Sequence, residues 1–122
     1  MRLLLDTNAL VRWHLGKLRP AAVRTVRRAD VVVVSAISAW EIAIKGSLGK
    51  LELKDTVDDI VARNRFLPLP VTIRHGDLLR DVPRHHTDPF DRLLIAQALN
   101  EGLTILTSDR AFELYRVPVE WV

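Results

Sequence analysis

The chain has no cysteine among its 122 residues. Disulfides and thiolate chemistry are therefore excluded, and any zinc would have to rely on His and carboxylate ligands, which suits a reducing compartment. No apolar stretch approaches the roughly 20 residues of a membrane span, and residues 1–16 lack the basic, apolar and small-residue order of a signal peptide. The expectation is a cytoplasmic protein with no membrane attachment. Neither a P-loop nor a dinucleotide fingerprint occurs: Gly46, Gly49 and Gly76 stand apart, as helix punctuation. Internal repeats, low-complexity tracts and breaks in composition are also missing, and the few aromatics form no RNA-stacking motif.

What is present begins with 48% hydrophobic residues, enough for the core of one domain over residues 1–122. The formal charge of +3 is unevenly spread. Residues 1–50 carry nine Lys/Arg against three Asp/Glu, and residues 51–122 carry nine against twelve. Much of the early excess lies in Arg12, Lys17, Arg19, Arg24, Arg27 and Arg28. These form a phosphate-attracting surface if the first helices face one way, and ordinary solvated helix faces if they do not.

Leu3–Leu5 reads as a short buried strand, followed by a helix from Asn8 to Leu15 that stops near Gly16. Pro20 suits the first turn of a second helix, running to about Ala29 on Ala22, Val23 and Val26. Val31–Val34 is apolar and β-branched throughout, the pattern of a parallel strand covered on both faces. Ser35 or Ser38 caps a third helix, which reaches about Lys45 before Gly46 and Gly49 interrupt it. Thr56 starts another, with Asp59 as a weaker capping-box partner. Phe66–Leu69 is a very short strand that Pro68 keeps from a central position. Thr72–Leu79 is a short helix, and residues 80–87 are polar and irregular. Asp88-Pro89 opens the clearest helix, which ends at Asn100 and Gly102. Leu103–Thr107 is a strand, Asp109–Leu114 a short helix and Val119–Trp121 an edge strand. Strands separated by helices predict a three-layer α/β/α sandwich around a mainly parallel sheet of four to five strands.

Acids recur where strands end or apolar helix faces begin. Asp6 ends the first strand, and Asp109 lies two residues beyond the end of LTILT. In a parallel sheet both positions fall on the carboxyl edge, where open α/β folds bind ligands. Glu41 sits within AISAWEIAIK among apolar residues. An unpaired buried carboxylate is costly. A salt bridge to Lys45 at i+4 is the plainer account of it. In DPFDRLLIAQA, Asp88 serves as N-cap ahead of Pro89, and Asp91 falls at the third helical position, where free amides favour it. Asp91 also aligns with Leu94, Ile95 and Ala98 and so points along the packed face, whereas Arg92 points elsewhere. If Asp6, Glu41, Asp91 and Asp109 converge, each pair of charges about 4 Å apart repels by about 4 kcal/mol at a dielectric near 20. A cation reverses that. Carboxylate oxygens without thiolate suit Mg²⁺ or Mn²⁺, which activate water and neutralise phosphoryl oxygens.

LLLDTN at residues 3–8, SAISAWEIAIK at 35–45, DPFDRLLIAQA at 88–98 and LTILTSD at 103–109 together resemble the PIN-domain ribonucleases, and within them the VapC-type toxins of bacterial toxin–antitoxin pairs. The resemblance covers nearly the whole chain. It implies a central first strand and metal-dependent RNA cleavage that leaves a 5′-phosphate and a 3′-hydroxyl. Carried over, it makes Asp6, Asp91 and Asp109 the principal Mg²⁺ ligands (Mn²⁺ as substitute), with Glu41 binding the ion or its water. Asp88 assists, and Thr7, Asn8 and Ser108 support the site, Asn8 either orienting Asp6 or capping the following helix. Arg12 and Arg27 or Arg28 are candidates for RNA phosphates. The resemblance further implies a homodimer and a small VapB-like antitoxin, which alone would bring DNA into play. Trp13, Leu15, Leu18, Trp40 and Leu48 are groove or dimer candidates, the two tryptophans being equally readable as core.

His85 and His86 lack the paired partners of a zinc site and read as ordinary loop residues or as neighbours of RNA. An aspartate-dependent phosphatase would also carry an Asp at the end of its first strand, but it wants a second Asp where Asn8 stands, and it leaves Glu41 unexplained. A non-enzymatic RNA- or protein-binding module on the same fold is the other alternative.

Overall fold

Leu3, Leu4 and Leu5 are fully buried in β1 (Arg2–Leu5) because the sheet is covered on both faces. In the computed structural model, which describes residues 1–122, successive strand residues feed two separate cores. Leu4, Val33 and Ile105 face one side. Leu3, Leu5, Val34 and Leu106 face the other. The strands β2 (Val31–Ser35), β3 (Leu67–Leu69), β4 (Thr104–Thr107) and β5 (Val119–Trp121) complete a sheet of order β3-β2-β1-β4-β5, in which every pairing is parallel. β1 is central as expected, with Leu5 opposite Val34 on one side and Leu106 on the other. Pro68 falls on an edge strand, where its missing N–H disturbs least.

Helices α1 (Thr7–His14), α2 (Pro20–Arg28) and α4 (Val57–Asn64) cover one face through Leu10, Ala22, Val26, Ile60 and Val61. The opposite core takes Leu94, Ile95 and Ala98 from α6 (Pro89–Glu101), with Phe112 from a 3₁₀ turn at Arg110–Leu114. Helix α5 (Ile73–Leu78) packs beside α6. Helix α3 (Ala36–Ser47) begins directly after β2 and serves both layers, Ile37 packing in one core and Ile42 against the other. It thereby lies over the carboxyl edge of the sheet.

Several local expectations change. The cap of α1 is Asp6, whose Oδ1 accepts the Ala9 amide at 2.7 Å, so Asn8 is a helical residue and caps nothing. Ser35 caps α3, while Ser38 is left to bond Thr7. Gly46 lies within α3; the helix closes later, where Gly49 at φ +70° lets the Lys50 amide reach the Lys45 carbonyl at 2.9 Å. A 3₁₀ turn at Leu79–Asp81 replaces the start of the irregular segment. Leu18 is a core residue, and Trp13 packs on Phe66 with its indole donating to Asn64. Trp40 and Leu48, by contrast, are 59% and 62% exposed. No helix is long and apolar enough to cross a membrane.

Candidate active site

Asp6, Glu41, Asp88, Asp91 and Asp109 line one pocket of about 380 Å³ at the carboxyl edge, together with Thr7, Asn8, Lys45 and Lys50. Asp6 follows β1, Asp109 follows the neighbouring β4, Glu41 hangs from α3, and Asp88 and Asp91 stand at the start of α6. Four separate parts of the chain thus contribute acids to one pocket.

Asp6 is buried and held from two sides: Ala9 donates to Oδ1, and the Thr107 hydroxyl donates to Oδ2 at 2.5 Å. The same Thr107 oxygen accepts the Asp109 amide at 2.9 Å, so one buried hydroxyl ties the two acids of neighbouring strands together. Asp109 itself is exposed and caps the following 3₁₀ turn through the Ala111 amide. Asp88 caps α6 with Oδ1 alone, accepting the Phe90 and Asp91 amides at 2.9 and 3.0 Å. Its cap role and its place in the pocket therefore coexist. Asp91 meets His86 Nε2 at 3.4 Å, and His86 Nδ1 lies 2.6 Å from the Tyr115 hydroxyl.

Glu41 is only 4% exposed, yet just one of its oxygens is satisfied. Lys45 Nζ donates to Oε2 at 2.5 Å, which is the expected i+4 pair, but Oε1 is buried without a hydrogen-bond partner. Stripping water from a carboxylate oxygen without replacing its partners is unfavourable, so Oε1 carries a desolvation cost as it stands.

Electrostatics follow from this crowding. Burial pushes Asp6 up to about 6 despite the two hydrogen bonds that favour its charge, with Asp109 and Glu41 adding to the rise. Burial, then the Asp88 charge and after it those of Asp6, Asp109 and Glu41, push Asp91 up to about 8. Lys45 is held above the usual lysine range first by its bond to Glu41, with Asp88 and Asp91 contributing at longer range.

The donor set, carboxylate oxygens without sulfur, fits a hard divalent cation, and Glu41 Oε1 offers it an uncommitted ligand. As the side chains stand, however, no three His, Asp or Glu residues are disposed to hold one ion. They share a pocket without closing on a point, as mutually repelling groups with an ammonium among them would.

The remaining candidates separate. Thr7 is buried and donates to Ser38 at 2.9 Å, supporting the junction of α1 and α3. Asn8 lines the pocket but makes no hydrogen bond to Asp6; it reaches exposed Ser108 at 3.5 Å. Thr107, expected only to end a strand, bonds both the Asp6 carboxylate and the Asp109 amide. Its signal was positional, since it is the last β4 residue, one step beyond the Leu106 that pairs with Leu5 at the end of β1. Arg12 is exposed on α1, away from the pocket lining. Arg27 and Arg28 lie at the end of α2, beside Asp30 and the start of β2. That is the amino edge of the sheet, at the opposite end of the strands from the pocket. The basic groups that do line the pocket are Lys45 and Lys50, and Lys50 arrives only through the closing turn of α3.

Known proteins share this fold. The PIN domain family profile matches residues 3–118. Among curated proteins no sequence matches. The VapBC2 structure from Rickettsia felis, bound to a DNA fragment from its promoter, superposes with a TM-score of 0.75 at 14% identity, over 99% of this chain and 98% of that one. DNA-bound VapBC from Salmonella typhimurium gives 0.66 at 19%, over 99% and 98%, and a toxin–antitoxin complex from Klebsiella pneumoniae gives 0.64 at 17%, over 90% and 89%. At these identities the likeness is one of fold, and it agrees with the profile, which matches from within β1 to just before β5: the chain belongs to the PIN domain family.

Proposed function

We propose that this protein is a Mg²⁺- or Mn²⁺-dependent endoribonuclease acting as the toxin of a VapC-type toxin–antitoxin pair. The observation that carries the reading is Glu41 Oε1, a buried carboxylate oxygen without a partner in a pocket shared with four aspartates. In this reading Asp6, Asp91 and Asp109 hold the ion, Glu41 completes the set, and Asp88 adds charge from the helix start. When bound, the cation supplies Lewis acidity, making water nucleophilic near neutral pH and offsetting charge on the phosphoryl oxygens.

The chain's own groups do the positioning. Thr107 fixes Asp6 relative to Asp109, and Asp88 anchors the first turn of α6, so that Asp91 projects from a rigid element. His86, wedged between Tyr115 and Asp91, limits the rotation of that carboxylate. Cleavage breaks the bond from phosphorus to the 3′-oxygen. Water supplies the new oxygen on phosphorus, and its proton ends on the leaving group, giving a 5′-phosphate and a 3′-hydroxyl.

The partner in this reading is a small VapB-like antitoxin. The exposed Trp40 of α3, which meets Phe90 at the start of α6, and the exposed Leu48 of its closing turn offer its apolar tail a surface. Assembly as a homodimer, and contact with DNA through the antitoxin alone, belong to the same proposal. Purified protein freed of any partner should cleave part of a cellular RNA pool with Mg²⁺ or Mn²⁺. Asp91→Asn should lower the rate about 100-fold or more, the scale on which one preorganised charged group acts. Sequencing of product 5′ ends identifies the chemistry and the target together; intact RNA with either ion would sink the proposal.

A further inference from the structure

Lys45 is the feature of the pocket that cation binding alone leaves unused. Its ammonium occupies Oε2 of Glu41, which is buried to the same extent as Asp6, and its side chain is 44% exposed and so free to swing on a flexible stem. A divalent ion that uses Glu41 would stand beside this ammonium and be repelled by it. The five acids are meanwhile not disposed to hold an ion as they stand. A polyanion entering the pocket has the converse difficulty: it meets five acids and only two basic groups, Lys45 and Lys50. Both difficulties are relieved by one movement. If the Lys45 ammonium leaves Glu41 for a phosphate oxygen, the cation gains a carboxylate and the phosphate gains a counter-charge.

We propose that Lys45 is a tethered counter-ion exchanged between Glu41 and the substrate phosphodiester, so that phosphodiester and divalent cation bind the pocket cooperatively. This rests on the metal-dependent reading above and adds to it a positioning residue and an order of events. Without substrate, Lys45 holds the pocket's charge in check and keeps the ion weakly bound. Substrate draws Lys45 outward, and the ion binds fully only then. Linkage makes the effect reciprocal, each ligand tightening the other by the same factor.

The test is a Mn²⁺ titration of the intact protein by calorimetry, alone and with a single-stranded DNA hexamer as phosphodiester probe. The uncharged methylphosphonate hexamer serves as control. For the unaltered protein the charged hexamer should tighten Mn²⁺ by about fivefold or more, the lower end of ordinary coupling, while the uncharged one should not. Lys45→Gln should bind Mn²⁺ about fivefold tighter without any hexamer, because the competitor is gone, and the hexamer should then add less than about twofold. Lys45→Arg, which keeps the charge, should retain both the weak binding and the coupling. Equal effects of the charged and uncharged hexamers on the unaltered protein overturn the proposal without reference to any variant. A folded Lys45→Gln with unchanged or weaker Mn²⁺ binding overturns it as well. Mn²⁺ binding that is absent, or unaffected by Asp91→Asn, removes the metal-dependent reading itself, and this inference with it.

Discussion

Thr107 shows how much of the candidate site depends on a group that is not an acid. Its hydroxyl donates to Asp6 and accepts from the Asp109 amide, both within the buried junction of β1 and β4. Thr107→Val keeps the shape and removes both bonds. Asp6 then loses a donor that favours its charged form, and its rotamer is held by the Ala9 amide alone. Removal of an outer contact of this kind typically lowers metal affinity or activity about 10- to 100-fold, and that is the loss expected in Mn²⁺ titration and RNA cleavage. A variant with unaltered Mn²⁺ affinity would reduce Thr107 to a packing residue. Sequence inspection passes over it because a threonine ending a strand is ordinary. Only the pairing of β1 with β4 makes it the bridge between two acids.

At the scale of elements, the position of α6 depends on a buried polar chain that runs beside the pocket without entering it. Gln97 accepts from the Ser35 hydroxyl and donates to the Pro70 carbonyl at 3.3 Å. His75 Nδ1 accepts the Thr72 amide, and its Nε2 meets Glu101 at 2.9 Å. The Glu101 carboxyl is held below its usual range first by that bond. Because His75 is fully buried and joins α5 to α6, His75→Ala leaves a void and removes the bonds to the Thr72 amide and to Glu101. The expected loss is about 2–3 kcal/mol in urea unfolding. A change below about 0.5 kcal/mol, the range of surface substitutions, would show the chain to be incidental. Most elements were legible because β1 and β2 are built on apolar runs and the helices carry start or stop signals: Pro20, Thr56, Thr72, Asp88 and Gly102 all stand at real boundaries. What escaped was tertiary. Gly46 is absorbed into α3 although glycine costs a helix roughly 1 kcal/mol. His75 and His86 acquired partners from distant residues that no local pattern names. The acids were visible as misfits among apolar neighbours, whereas Arg27 and Arg28 were judged by charge alone, and charge does not say which edge of a sheet it serves.

For the whole molecule, five acids in one pocket make stability depend on pH in a direction opposite to that of most paired carboxylates. Asp6 rises to about 6 and Asp91 to about 8, in both cases chiefly through burial. A group whose pKa is higher folded than unfolded keeps its proton longer in the native state. Between the ordinary carboxylate value of 3.8 and about 8, the native protein therefore binds more protons than the unfolded chain, and stability falls as pH rises through that window. Asp30 and Glu101, which are lowered by the N-terminus and by His75 respectively, act the other way, their contribution being lost only at acid pH. Asp91 faces Asp88, Asp6, Asp109 and Glu41, with Lys45 and His86 as its nearest basic groups, so the upper part of the window reports the pocket as a unit. In EDTA the urea midpoint should decline from pH 5 to pH 9. Asp91→Asn, which cannot ionise, should flatten the decline above about pH 6. Saturating Mn²⁺ should raise the midpoint most at the alkaline end, because a ligand that binds only the folded state stabilises it in proportion to its affinity, and deprotonated carboxylates bind the ion best. A midpoint that rises with pH in EDTA would mean that these acids are stabilised as anions by the fold itself. The pocket would then have no need of a cation to carry its charge.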